Sequence, residues 1–147
     1  MNKILIKNCR IINEGEIFES DILIENLKIK KISSSISADR PNTNIIDAKG
    51  NYIIPGLIDD QVHFREPGLT HKGNIFSESR AAVAGGITSF FEMPNTNPNT
   101  TTINELNKKF EIAKNNSLAN YSFMFGGTNT NLEEILKNDL TQIPAVK

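Results

Sequence analysis

The sequence has almost no cysteine, no long apolar run and no excess of charge, and each absence excludes a class of protein. Its single cysteine, Cys9, cannot form an internal disulfide, which makes a reducing compartment the default expectation. No apolar run approaches the ~20 residues of a membrane span, and the start MNKILIKN is too short and too interrupted for a signal peptide. The 16 basic and 17 acidic residues leave a formal net charge of −1, which indicates neither a nucleic-acid nor a membrane partner. We therefore expect a soluble cytoplasmic protein.

Glycine-rich phosphate loops are also lacking where a nucleotide-binding protein would carry them. Residues 59–68, which follow the first long apolar strand, contain neither GxGxxG nor GxxxxGK[ST], so nucleotide binding loses its main support. What is present is a chain of 147 residues, 38% of them hydrophobic, which is enough to build the core of a domain.

Residues 1–51 are predicted to form a small β module. Short apolar alternations near the start of the chain are followed by a turn signal at residues 13–15, and two further strands are expected at residues 21–25 and 27–32. A polar loop spans residues 33–44, and residues 45–47 begin another strand.

From residue 52 to residue 147 the pattern alternates between strand and helix. The expected elements are strands at 53–59, 87–91 and 121–125, helices at 76–84, from 102 and from 130 to about 137, and an extended segment at 143–147. Such alternation indicates a parallel α/β sheet, either doubly wound or a (β/α)8 barrel. Because a barrel needs eight units and about 250 residues, a barrel would make this chain incomplete.

Polar side chains follow the first two strands of this region. Asp59, Gln61 and His63 should face one side of a strand, because side chains alternate. His63 is a candidate metal ligand and Arg65 a candidate anion clamp, although a lone histidine is more often structural. In the loop after the second strand, Asn95 either belongs to a simple Pro/Asn turn or presents its amide to a substrate.

Together these stretches resemble one protein family. The segment PGLIDDQVHFREPGLTHKG, at residues 55–73, and the segment SRAAVAGGITSFFEMPNTNP, at residues 79–98, are similar to the dihydroorotase family, within the amidohydrolases that include hydantoinases and allantoinases. The resemblance covers essentially the whole chain. It implies that the chain corresponds to the N-terminal third of a family member. The implied fold is α/β, a small N-terminal β-sheet module followed by the first three βα units of an incomplete (β/α)8 TIM-type barrel. HFREPG together with MPNTNP favours dihydroorotase over its relatives.

The resemblance also implies chemistry and site residues. Family members use one or two Zn²⁺ ions per full-length subunit to open L-dihydroorotate with water to N-carbamoyl-L-aspartate, a reversible step of de novo pyrimidine biosynthesis. His63 would be a zinc ligand, and Arg65 and Asn95 would hold the substrate carboxylate, a task that suits a planar guanidinium. Partners would be this small-molecule substrate and, in the full-length form, further copies in a homo-oligomer.

Two positions qualify the implied metal site. Most family members have HxH where this chain has Gln61-Val62-His63, and a neutral glutamine oxygen is a poor zinc ligand. Either the site keeps fewer ligands, or it binds one metal through other groups. Lys147 is either the equivalent of the carboxylated lysine that bridges two metals in many amidohydrolases or a plain charged terminus.

The family's general base lies on a later strand, so no catalytic residue is expected within this chain. We therefore expect the 147-residue polypeptide to be inactive alone. Three alternatives remain: an allantoinase or hydantoinase on the same scaffold, a non-catalytic dihydroorotase-like partner of aspartate transcarbamoylase, and a broken reading frame with no selected function. His71 is interpreted as a loop residue, and Glu66, Glu78 and Glu92 are interpreted as structural carboxylates.

Overall fold

The structure, a computed structural model, describes residues 3–38, 42–139 and 141–147. The chain divides into two compact units, Met1–Pro55 and Gly56–Lys147. Within the described ranges, no helix is long and apolar enough to cross a membrane.

The first unit is a five-stranded sheet. Its strands are β1 (Lys3–Asn13), β2 (Glu16–Glu25), β3 (Lys28–Ser33), β4 (Thr43–Asp47) and β5 (Tyr52–Ile53). They lie in the order β3-β2-β1-β4, and β5 also pairs with β1.

Tight turns and one apolar face explain how this sheet forms. The turn between β1 and β2 places Glu14 and Gly15 at φ values of 51° and 81°, the left-handed geometry that matches the twist of a two-residue hairpin. Cys9 and Ile11 of β1 form one buried apolar cluster with Ile22 of β2. The turn and the small β module predicted from the sequence are therefore observed.

The sheet of the first unit extends beyond the expected boundary at residue 51. Tyr52 and Ile53 pair in parallel with Arg10 and Ile11 of β1. Hydrogen bonding to β1 thus retains these two residues in the first unit, which is why the division falls after Pro55.

The second unit is a parallel sheet with helices between its strands. Its elements are β6 (Leu57–Val62), α1 (Ile75–Ala84), β7 (Ile87–Glu92), α2 (Ile103–Asn116), β8 (Asn120–Phe123) and α3 (Leu132–Leu136). The strands lie in the order β6-β7-β8. Its buried core includes aromatic and aliphatic residues from strands, helices and loops: Phe64, Ile75, Phe90, Leu106, Ala113, Phe123, Phe125 and Ile143.

The helix ends agree with the sequence signals in two cases out of three. Thr102 caps α2 by accepting a hydrogen bond from the Glu105 amide, and Gly86, at φ 91°, follows the end of α1. The capping box expected at Thr130 is wrong, because α3 begins after Asn131 without a side-chain cap. The Asn131 side chain is instead engaged by Thr128 N–H and Gly126 C=O of its own loop and by Thr101 C=O of the loop before α2.

A further extended segment pairs with the chain just beyond the end of β8. Val146 forms a parallel bridge with Phe125. The Lys147 amide donates to Phe125 C=O over 2.8 Å, and the Gly127 amide donates to Lys147 C=O over 2.7 Å. The extended structure expected at residues 143–147 is therefore observed at Val146 and Lys147, the last two residues of that range.

Candidate active site at the carboxyl ends of the parallel strands

The loops that follow β6, β7 and β8 carry the candidate functional groups. Residues 63–68 follow β6, residues 93–99 follow β7, and residues 125–128 follow β8. Because the carboxyl ends of parallel strands meet at one edge of a sheet, these three loops lie on the same rim, where α/β proteins usually bind ligands.

His63 and Asn95 are in direct contact across two of these loops. The Nδ1 atom of His63 lies 2.9 Å from the Oδ1 atom of Asn95. An amide oxygen can only accept a hydrogen bond, so Nδ1 is the donor in this contact, and in the neutral ring the lone pair is on Nε2. A histidine that ligates a metal usually donates its other ring N–H to a carbonyl or carboxylate in this way.

Arg65 has an unusual backbone and an unengaged side chain. Its φ is 72°, in the left-handed region that costs energy for a residue with a Cβ. Its amide donates to Oε1 of Glu92 over 3.1 Å. Arg65 as a whole is half-buried, and within the described part of the chain no hydrogen bond or ion pair engages its guanidinium.

Glu92 belongs to a buried ion pair, a role beyond the strand-end position expected for it. Its Oε2 contacts Nζ of Lys109 on α2, and the two residues are 1% and 0% exposed. Nζ also donates to Met93 C=O over 3.1 Å. Burial raises the pKa of Glu92, against the attraction of Lys109, and burial lowers the pKa of Lys109, against the attraction of Glu92.

Sequence reasoning missed Lys109, although a signal exists. It lies three residues after Leu106 and four before Ala113, both buried, so it occupies the apolar face of α2. A lysine at such a position needs a buried acceptor or anion, and Glu92 at the end of a neighbouring strand provides it.

The loops after β6 and β7 also pack backbone against backbone. The Asn97 amide donates to Pro67 C=O over 3.1 Å. Gly68, at φ 81°, approaches so closely that an added Cβ would overlap the Asn97 carbonyl oxygen. Glu66 accepts from the Ile75 amide over 2.9 Å, which joins the first loop to the start of α1. These contacts hold HFREPG and MPNTNP together as one unit of structure.

Strict alternation along β6 is interrupted before His63. The pairing of β6 with β7 shifts between Asp59 and Val62, where one extra residue is accommodated. Asp59 folds back to accept a hydrogen bond from the Gln61 amide over 3.1 Å. Because alternation cannot be counted across a bulge, it gives no support to the expectation that Asp59, Gln61 and His63 share one side.

Lys147 lies on the same rim as Asn95. Both residues line a shallow cleft with Thr101, Gly126 and other loop residues. Nζ of Lys147 lies 3.2 Å from Sδ of Met93, a weak acceptor. His71, the other histidine of the chain, is exposed in the loop that leads to α1.

The residues present fit a metal site only in part. His63 offers Nε2 with the correct partner on Nδ1, Gln61 is exposed, and Lys147 is at the cleft. Across the described ranges, no group of three or more His, Cys, Asp or Glu side chains could hold a metal ion. His63 thus offers one metal donor, and the described residues do not provide the remaining donors of a zinc centre.

Comparison with known proteins decides the family. The family described as Dihydro-orotase-like matches residues 50–137. The chain belongs to the dihydroorotase-like family. The resemblance predicted from HFREPG and MPNTNP is therefore confirmed.

Individual relatives agree with this assignment. The chain is 44% identical over 114 residues to a dihydroorotase of Fusobacterium nucleatum, covering 78% of this chain and 26% of that protein. It is 39% identical over 135 residues to a dihydroorotase of Methanosarcina mazei, covering 92% and 29%.

Among solved structures, the L-hydantoinase (dihydropyrimidinase) from Arthrobacter aurescens superimposes with a TM-score of 0.92 at 33% identity. That alignment covers 99% of this chain and 32% of the hydantoinase. The chain therefore spans between a quarter and a third of the length of these dihydroorotase-like relatives.

Proposed function

We propose that this chain is part of a zinc-dependent hydrolase of cyclic amides that catalyses the dihydroorotase reaction. The observation that carries the proposal is the His63–Asn95 contact, which joins HFREPG and MPNTNP at the carboxyl ends of neighbouring parallel strands. In the complete protein, β6 to β8 would be the first strands of a (β/α)8 barrel whose mouth is this rim.

His63 would be the metal ligand supplied by this chain. Nε2 is the available nitrogen, because Nδ1 is engaged by Asn95. When bound, one or two Zn²⁺ ions would supply Lewis-acid activation of water and of the amide carbonyl. In a site with two metals, Lys147 would be the carboxylated residue that bridges them, a role that requires an amine without a carboxylate partner. Gln61, exposed and neutral, favours a site with one metal.

Arg65 and Asn95 would bind the carboxylate of L-dihydroorotate. The guanidinium of Arg65 is planar, always charged and unengaged by the described residues, so it can form a two-point contact with a carboxylate. With its oxygen on His63, Asn95 still has an amide N–H₂ group to donate. Both groups hold and orient the substrate rather than transfer protons.

Dihydroorotate is favoured over hydantoins by the pattern of similarity. The dihydroorotases quoted above are 44% and 39% identical to the chain, whereas the hydantoinase is 33% identical. The general base is expected in a later part of the barrel, so we propose that the 147-residue polypeptide does not turn over substrate alone. A homo-oligomeric, cytoplasmic enzyme of pyrimidine biosynthesis remains a prediction.

A substrate panel on the complete gene product tests this function. We expect ring opening of L-dihydroorotate with higher kcat/KM than of hydantoin or allantoin, and we expect none from residues 1–147 alone. His63→Gln should abolish turnover, whereas His71→Gln, a change of the other histidine, should retain it. Preference for hydantoin or allantoin would contradict the substrate assignment. Absence of all turnover, with co-purification of aspartate transcarbamoylase, would favour the non-catalytic alternative.

A further inference from the structure

A buried ion pair lies directly behind the loop that carries Arg65. Glu92, the last residue of β7, directs one carboxylate oxygen to Lys109 of α2 and the other to the amide of Arg65. Lys109 in turn donates to Met93 C=O and lies 4.8 Å from the ring centroid of Phe123. One carboxylate thus connects the end of β7, helix α2 and the HFREPG loop.

The Arg65 amide is where this connection ends, and the backbone there is under strain. A φ of 72° is unfavourable for arginine, so the conformation persists only where surrounding contacts enforce it. The 3.1 Å bond from the amide to Oε1 of Glu92 is one such contact, and a second is the 3.0 Å bond from the Leu69 amide to Arg65 C=O. The φ and ψ angles of Arg65 determine where its side chain leaves the backbone.

Stability alone does not account for the pair. Two charges removed from water lose their hydration, and apolar residues of similar volume are often as stabilising as a buried ion pair. An apolar pair at these positions could fill the same space between β7 and α2. It could not accept a hydrogen bond from Arg65.

We propose that Glu92, whose buried carboxylate accepts a hydrogen bond from the Arg65 amide, is a positioning residue that fixes the backbone of Arg65 and so orients the guanidinium towards the substrate carboxylate. The substrate part of this inference rests on the function proposed above. The contact between Glu92 and Arg65 does not, because it can be measured without any turnover.

Two double variants of the complete gene product separate positioning from packing. Glu92→Leu/Lys109→Met removes both charges and the acceptor for the Arg65 amide while keeping side-chain volume. Glu92→Gln/Lys109→Met removes both charges but keeps an oxygen that can accept from Arg65. Lys108→Met is the matched control, since Lys108 immediately precedes Lys109 on α2 and its ion pair with Glu105 is exposed.

The first readout is hydrogen exchange of the Arg65 amide in protein labelled with ¹⁵N-arginine. We expect exchange at least tenfold faster in the Leu/Met variant, and exchange close to wild type in the Gln/Met variant and in the Lys108→Met control. Unchanged Arg65 exchange in a folded Leu/Met variant would overturn the proposal. If the Leu/Met variant does not fold, the Gln/Met variant decides. Faster exchange of the Arg65 amide in that variant would overturn the proposal.

The second readout is the division of the kinetic effect between KM and kcat. We expect the Leu/Met variant to raise KM for L-dihydroorotate by about 10- to 100-fold with a smaller change in kcat, and the Gln/Met variant to restore KM. Faster Arg65 exchange with unchanged KM would overturn the substrate part of the proposal. If the wild-type protein opens no cyclic amide, the proposed function fails, and the exchange measurement alone decides whether Glu92 fixes Arg65.

Discussion

His63 and Asn95 lie at the ends of adjacent strands, and a 2.9 Å contact between the imidazole Nδ1 and the amide Oδ1 joins them. The contact fixes the histidine tautomer and the orientation of its ring. It therefore links two loops that are 32 residues apart in the sequence, and it gives Asn95 a structural role in addition to the substrate binding proposed for it.

Loss of the Asn95 oxygen should weaken metal binding. We expect Asn95→Ala to lower the zinc affinity of the complete gene product by about 10- to 100-fold, measured by competition with a chromophoric chelator. Asn95→Asp keeps an oxygen for His63 and should retain affinity close to wild type. Asn107→Ala, on the exposed face of α2, is the control. An alanine variant with unchanged zinc affinity would exclude this role for Asn95.

Replacement of Arg65 by lysine should impair recognition of a carboxylate although the charge is kept. Lysine lacks the planar two-point geometry, so we expect Arg65→Lys to raise KM for L-dihydroorotate by about 10- to 100-fold, the worth of one or two charge-assisted hydrogen bonds. Dihydrouracil, which has the same ring without the carboxylate, serves as the control ligand. An equal loss of affinity for both compounds would show that Arg65 does not bind the carboxylate.

Much of the fold follows from local sequence patterns. The hairpin turn at residues 13–15, the cap at Thr102 and the alternation of strands with helices are short-range signals, and the structure contains all of them. The rim that carries His63, Arg65 and Asn95 follows from the parallel order of the strands, because such strands end at one edge.

Features that depend on pairing between distant segments could not be predicted in this way. The bulge in β6 is a property of its register with β7, and only the three-dimensional structure shows it. Lys109 pairs with Glu92 across 17 positions of sequence, a distance that helix and strand periodicity do not span. Asn131 has the residue type of a cap, but its side chain donates to the distant Thr101 C=O and to Gly126 C=O of its own loop.

Gly68 should be irreplaceable for the packing of the two loops. An added Cβ would overlap the Asn97 carbonyl oxygen, and φ is 81°. We expect Gly68→Ala to cost about 1–2 kcal/mol for the left-handed backbone and about 1–3 kcal/mol more for the overlap, measured by urea unfolding. Gly86→Ala is the matched control, since Gly86 has φ 91° with open space beside it. Equal losses in the two variants would show that the loop contact is unimportant.

Asp21 should stabilise the small sheet in a manner that depends on pH. Its two oxygens accept from the Asn8 amide over 3.0 Å and from the Ile36 amide over 2.9 Å. Burial alone would raise the pKa of Asp21, but these hydrogen bonds and the charge of Lys7 outweigh it and hold the pKa below its ordinary value of 3.8. A lowered pKa in the folded state means that the stabilisation is complete above pH 3.8 and is lost as the pH falls through the folded value.

Substitution of Asp21 tests that dependence. Asparagine can accept only one of the two bonds, so we expect Asp21→Asn to cost about 1–3 kcal/mol at pH 7, with the difference from wild type shrinking as the pH falls below about 4. Cys9, the single cysteine of the 147-residue chain, is buried in the same unit, so its labelling by an acid-tolerant disulfide reagent in urea reports unfolding. Glu19→Gln, which changes an exposed residue of β2, is the control. A loss of stability that is the same at pH 7 and pH 3 would contradict the charge-based explanation. A protonated Asp21 should stabilise the fold no more than the asparagine that replaces it.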